Sequence, residues 1–169
     1  RDEDSALDRL STLPVEELRA LIAYFRESGP ENMAALLDRL AHHAGYERIV
    51  DAATPLPRMG FYDPERGAVT LEDFKANIEP DATTVPILFY RSMLLASDAA
   101  PIDALCESLA AHGLTPVPLY VSSLKDEAVC RFAEDVCALL KPAVVITTTA
   151  FASGGEGQGL FDRLGAPVL

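Results

Sequence analysis

Apolar residues follow two different rhythms along this chain. From Val85 to Val145, short and almost continuous apolar runs alternate with stretches of helical period. Val85-Pro86-Ile87-Leu88-Phe89-Tyr90 is nearly all apolar, as a strand buried on both faces of a parallel sheet requires. Ser97 to Pro101 then supplies polar residues and a proline suited to a helix start. Ile102, Leu105, Leu109 and Ala110 recur at spacings of three and four, and Gly113 tolerates the left-handed backbone that closes a helix. Thr115 to Val121 is the second apolar run. Glu127 to Leu140 carries Val129, Phe132, Ala133, Val136, Leu139 and Leu140 at helical spacing, and Lys141-Pro142 ends it. Ala143 to Thr149 is the third run. Two strand–helix–strand units in succession predict an α/β fold over residues 85–169, a flavodoxin-like or Rossmann-like parallel sheet of βαβαβ type. The chain lacks an initial methionine and stops at Ala166-Pro167-Val168-Leu169, where a fourth strand begins, so a piece of a longer polypeptide is expected.

Residues 1–53 have only the helical rhythm. Pro14, Glu16 and Glu17 suit a first turn, and Val15, Leu18, Ile22 and Phe25 recur on one side. Gly29-Pro30 breaks the helix, and Glu31-Asn32 is expected to start another whose apolar face is Met33, Leu36, Leu37, Leu40, Ala41 and Ala44. Residues 54–84 read as an ordered connector. Its prolines and glycines argue against regular structure over most of it, yet Met59, Phe61 and Tyr62 call for packing. Thr70 caps a short helix there.

Composition narrows the chemistry. A net charge of −12 and a pI of about 4.5 disfavour a nucleic-acid partner and an anionic membrane surface. Cys106, Cys130 and Cys137 form no CxxC pair and are expected to be reduced, partly buried thiols of a cytoplasmic protein. His42 and His43 are adjacent, so their side chains diverge by about 100° on a helix and cannot share a metal. Those two and His112 are taken as structural, and no metal site is expected. Phe151 to Phe161 is glycine-rich, but no register gives GxGxxG, no lysine follows, and Glu156 would repel a phosphate. It reads as a loop that folds over a ligand.

In sheets of this kind ligands sit beyond the carboxyl ends of the strands. Here those ends are Tyr90-Arg91-Ser92, Ser122-Ser123-Leu124-Lys125 and Thr147 to Gly159. Hydroxyl and charged residues there serve equally as helix caps. The ends lack the acidic residues of a phosphoacceptor domain, no nucleophile elbow is present, and the first strand lacks the hydroxyl-rich loop an FMN site needs.

Three stretches carry a resemblance. Tyr24-Phe25-Arg26-Glu27-Ser28-Gly29-Pro30-Glu31-Asn32 opens a leucine-rich helix. Gly60-Phe61-Tyr62-Asp63-Pro64 is a Gly-aromatic-Tyr element. Pro86 to Ser92 is followed by Ile102-Asp103-Ala104-Leu105, Pro118-Leu119-Tyr120-Val121 and Thr149-Ala150-Phe151. In this order they resemble the large subunit of the metal-inserting tetrapyrrole chelatases, the CobN and magnesium-chelatase H-subunit family. Gly29-Pro30 stands where that family usually has two glycines. Asp63 stands where histidine is common in the magnesium branch, which favours the cobalt branch.

The resemblance implies an internal or N-terminal fragment of a ligase that forms nitrogen–metal bonds, inactive when isolated. Its whole complex uses ATP and cobalt, or magnesium, and this fragment needs no cofactor of its own. The implied partners are AAA+ ATPase subunits and a corrin precursor, hydrogenobyrinic acid a,c-diamide, into which cobalt is inserted in cobalamin biosynthesis. No catalytic residue is identified. Arg91, Ser123 and Lys125 are the expected contacts to peripheral carboxylates, and Tyr62 and Phe151 the expected flat contacts to the ring. The alternative is a scaffold that docks the ATPase subunits without touching substrate, marked by an apolar patch on the helices instead of chemistry at the strand ends.

Overall fold

The structure, a computed structural model, describes residues 9–76, 78, 82–148 and 160–169. It divides into two compact units. One comprises the chain up to Leu56 with Leu95–Ser97, and the other Pro57–Leu94 with Asp98–Leu169.

The first unit is built on helices α1 (Val15–Glu27) and α2 (Pro30–His43). Helix α2 starts at Pro30, earlier than expected, because Gly29 takes φ 84° and a proline is well placed in the first turn. That frees Asn32 for another task. Its side-chain amide donates to the carbonyls of Ser28 (2.7 Å) and Thr54 (2.9 Å), and its carbonyl accepts from the Thr54 N–H (2.8 Å). Glu17 receives Arg39 (2.8 Å) and His43 (3.0 Å), and these two partners, Arg39 foremost, hold its carboxyl below the usual range. Tyr24 is fully buried, its hydroxyl donating to the carbonyl of Asp51. The apolar faces expected to be inside are partly outside: Phe25 is 65% exposed and Leu37 66%, with Ile22 and Leu40 also exposed.

The second unit is a five-stranded sheet in the order β2-β1-β4-β3-β5. The strands are β1 (Met59–Asp63), β2 (Gly67–Val69), β3 (Thr84–Tyr90), β4 (Thr115–Val121) and β5 (Ile146–Thr147). The parallel core follows the expected plan, since β3 pairs in parallel with β4 on one side and β5 on the other. Helices α5 (Ala100–Ala111) and α6 (Glu127–Leu140) are the two crossovers, and α4 (Arg91–Leu95) follows β3 directly. The third strand is shorter than expected, while Val145 forms a parallel bridge to Val168, so the chain's last residues continue the sheet.

The segment expected to be an ordered connector, without regular structure over most of it, contains a hairpin. Strand β1 runs antiparallel to β2 and also to β4, with Gly60 opposite Tyr120 and Phe61 opposite Leu119. Both Phe61 and Tyr62 are buried, because β1 is covered on both faces and so shows no polar alternation. Gly67, at φ 77°, supplies the left-handed residue at the turn. Asp63 accepts from the N–H groups of Glu65 and Arg66 and pairs with the Arg66 guanidinium. The expected cap of the next helix, α3 (Leu71–Lys75), is present as a reciprocal box between Thr70 and Asp73.

Strand alternation sorts the core. Leu88, Val117, Leu119, Val121 and Phe61 pack with Val129, Ala133, Val136 and Cys137 of α6. The opposite parity places Phe89, Tyr120 and Tyr62 on the other face, where Tyr62 donates to Asp103 of α5. Helix α7 (Leu160–Arg163) starts inside the last two residues of the glycine-rich stretch, with Leu160 and Leu164 buried.

Candidate functional site

The first crossover runs from β3 to β4, and the second returns from β4 past β3 to β5, so the direction of winding reverses between β3 and β5. An open α/β sheet has its ligand crevice where the direction reverses, at the carboxyl ends of those strands. Arg91 sits there, the first residue after β3, half-buried and opening α4. Thr148 holds the corresponding place after β5, its N–H donating to Leu88 of β3 at 3.1 Å. Ser123 and Lys125 follow β4. The Ser123 hydroxyl accepts from the Lys125 N–H (3.2 Å), so it also shapes the turn into α6, and the Lys125 side chain is exposed.

The antiparallel hairpin adds a cation that the sequence did not reveal. Because β1 runs opposite to β4, its beginning lies at the carboxyl end of β4, and the Ser122 N–H donates to the Arg58 carbonyl at 2.7 Å. The Arg58 side chain is exposed and pairs with Asp126, whose other oxygen caps α6 by accepting from Ala128 (3.0 Å). Arg58, Lys125 and Arg91 therefore project from neighbouring strands at one edge of a chain whose net charge is −12.

Tyr120, in the last turn of the pleat before that edge, is the second residue the sequence did not single out. Its ring lies over Gly60, where an added Cβ would stand 2.5 Å from Oη. Burial pushes its phenol above the usual range, and the positive charge of Arg91 acts against that shift. A tyrosine in an otherwise aliphatic strand and a glycine in the facing motif were the available signals. Connecting them required the β1–β4 pairing.

Tyr62 lies elsewhere. The Tyr62 ring is buried edge-on to Phe89, and burial together with the Asp103 hydrogen bond pushes its phenol up, so its neighbours are protein groups at mid-sheet. Phe151 lies outside the described residues. Two concave surfaces among the described residues lie away from the strand ends: a cavity of about 180 Å³ is lined by Tyr62, Phe74, Cys106 and Pro116, and a shallower groove follows α5 past Asp103 and Glu107. Both lie toward the amino end of β4. Among the described residues, no three of His, Cys, Asp and Glu are grouped to hold a metal, and no helix is long and apolar enough to cross a membrane. The three cysteines are free and buried.

The profile of the CobN/Magnesium Chelatase family matches residues 22–169. The chain belongs to that family. Aerobic cobaltochelatase subunit CobN of Pseudomonas aeruginosa is 34% identical over 169 residues, and that of a Sinorhizobium species 29% identical over 178. Each alignment covers 98% of this chain and 14% of the relative, so the chain spans about a seventh of their length. The magnesium-chelatase H-subunit of Rhodobacter capsulatus is 35% identical over 81 residues, 46% of this chain and 7% of that protein. The catalytic subunit of cobaltochelatase from Mycobacterium tuberculosis superposes with a TM-score of 0.67 at 19% identity, over 90% of this chain and 12% of that one, and so shares the fold.

In this CobN/magnesium chelatase family member, the stretches that carried the resemblance have structural roles. Asn32 fastens the start of α2 to the chain at Thr54. Gly60 makes room for Tyr120, and Tyr62 ties β1 to α5. Burial alone would raise the Asp63 carboxyl, but Arg66 and the turn's N–H groups outweigh it and hold the group low, as an anion that fixes the hairpin.

Proposed function

We propose that this chain is part of the large, tetrapyrrole-binding subunit of an ATP-dependent chelatase that inserts cobalt into a corrin precursor, and that its strand ends form one wall of the substrate pocket. The observation that carries this is Arg91 at the β3–β5 switch point, with Lys125 following the adjacent β4 and Arg58 preceding β1 one strand further on. A corrin precursor such as hydrogenobyrinic acid a,c-diamide carries peripheral carboxylates, and guanidinium groups hold carboxylates through paired, charge-assisted hydrogen bonds. Arg91 takes one such carboxylate, while Ser123 and Lys125 take part at the next strand. Phe151 offers a flat contact from the segment after β5. The relatives' names point to cobalt insertion over the magnesium reaction.

Insertion also requires bases for two pyrrolic protons and ligands for the entering ion. Those groups belong to other parts of the subunit, and AAA+ partners supply the work of ATP hydrolysis. The cytoplasm is the compartment in which such partners and substrate meet.

The test is an absorbance titration of the chain with hydrogenobyrinic acid a,c-diamide, using a porphyrin as control. Saturable binding that Arg91→Ala weakens is the expected result. A folded chain that does not bind would remove substrate contact from this segment. A docking role for the ATPase subunits would then gain weight, because Ile22 with Phe25, and Leu37 with Leu40, present exposed apolar pairs at i, i+3 spacing on α1 and α2.

A further inference from the structure

Tyr120 is 2% exposed, and its hydroxyl has no hydrogen-bond partner among the described residues. The other buried tyrosines are different: Tyr24 bonds to Asp51 and Tyr62 to Asp103. Burying a hydroxyl without a partner is unfavourable, and native structures rarely tolerate it without a reason. The phenol is also closely confined. It reaches across from β4 to lie over Gly60 of β1, within 2.5–3.0 Å of where a side chain would begin, so any other residue at position 60 would push it aside.

The location joins the hydroxyl to the cationic edge. Phe89 of β3 pairs with Tyr120, so Arg91 stands two residues further toward the carboxyl ends, and the charge of Arg91 acts on the phenol. Arg58 lies two residues before Gly60 on the other side. A donor without an acceptor among the described residues thus sits between Arg58, just before β1, and Arg91, just after β3. Carboxylate oxygens accept such O–H donors through short, strong hydrogen bonds.

We infer that Tyr120 is a substrate-binding residue: its hydroxyl donates to a carboxylate at the edge of the macrocycle, Arg91 supplies the neighbouring positive charge, and Gly60 keeps the phenol in place. This rests on the proposed tetrapyrrole contact and adds its hydrogen-bond donor. With Tyr120 2% exposed, the carboxylate reaches the hydroxyl only when the side chains that cover it move.

Tyr120→Phe removes the hydroxyl and keeps the ring over Gly60. Hydrogenobyrinic acid a,c-diamide and its fully esterified analogue are titrated against wild type and variant. The acid is expected to bind the variant about tenfold more weakly, the magnitude of a lost hydrogen bond to a charged group, while the ester binds both alike. Equal affinity of the acid for both proteins would overturn the role of Tyr120 and leave the pocket itself standing. Failure of the wild type to bind would overturn both. A second measurement needs no ligand: thermal unfolding of Tyr120→Phe should occur at the wild-type temperature or above it, since the hydroxyl makes no hydrogen bond among the described residues. A clearly lower temperature would mean that the hydroxyl serves the fold, and would refute the assignment.

Discussion

Replacing Asn32 tests whether a family-typical residue acts through architecture alone. Its side chain is 8% exposed and makes three hydrogen bonds of 2.7–2.9 Å, all to main-chain groups of Ser28 and Thr54. A net value of roughly 1 kcal/mol each gives about 3 kcal/mol for Asn32→Ala, less whatever water recovers at half-buried Ser28 and exposed Thr54. Asn32→Asp keeps the acceptor for Thr54 N–H but turns an oxygen toward two carbonyls, so at neutral pH it should cost at least as much. Its carboxyl is then harder to ionise in the folded state than in the unfolded chain. The deficit should be smallest below about pH 4, where both states are protonated, and should grow as pH rises through the elevated folded value. Urea unfolding followed by far-UV circular dichroism gives the magnitude, and hydrogen exchange at the Thr54 amide reports the clamp directly. If Asn32→Ala stays within about 0.5 kcal/mol of wild type, or if Thr54 exchanges no faster, the clamp does not hold this unit together.

Other changes have equally definite outcomes. Gly60→Ala places a methyl 2.5 Å from Tyr120 Oη and 2.7 Å from its Cζ. It should cost about 1–3 kcal/mol by overpacking, and a double-mutant cycle with Tyr120→Ala should abolish that cost; an undiminished cost would place the strain elsewhere. Burial pushes the thiols of Cys106 and Cys137 up to about 11 and also raises that of Cys130. Iodoacetamide at about pH 8 should therefore label the folded chain slowly and the urea-unfolded chain fast. Rapid labelling of the folded chain at these positions would contradict the burial.

The parallel core was legible because Ile87-Leu88-Phe89 and Val117 to Val121 are apolar on both parities, and because Gly113 and Lys141-Pro142 mark helix ends. The hairpin was not. Phe61 and Tyr62 are both buried, so no alternation announces a strand, and pairing with β4 is a long-range choice that local composition does not encode. The same blindness hid Arg58, whose position at the cationic edge exists only through that pairing. Arg91, Ser123 and Lys125 could be placed from strand ends alone. Tyr62 could not, since an aromatic in a motif reads the same whether it faces a ligand or Phe89. On α1 and α2 the periodicity located the helices correctly, but apolar spacing cannot say what will cover a face, and Phe25 and Leu37 remain exposed.

The β1–β4 pairing also orders events in time. Strand β1 can close on β2 as soon as Asp63 and Gly67 have made their turn, yet Phe61 must wait for Leu119 before its second edge is occupied. Everything between, including β3 and α5, has to be synthesised first. Pairings this distant in sequence are the slow ones, because loop closure costs entropy before any contact compensates it. During synthesis the newborn hairpin therefore presents an open, apolar edge to the surrounding medium, to which other unpaired chains can adhere. A lag between hairpin formation and sheet completion is the kinetic signature this topology imposes, and chaperone dependence of folding yield is where a cell would feel it.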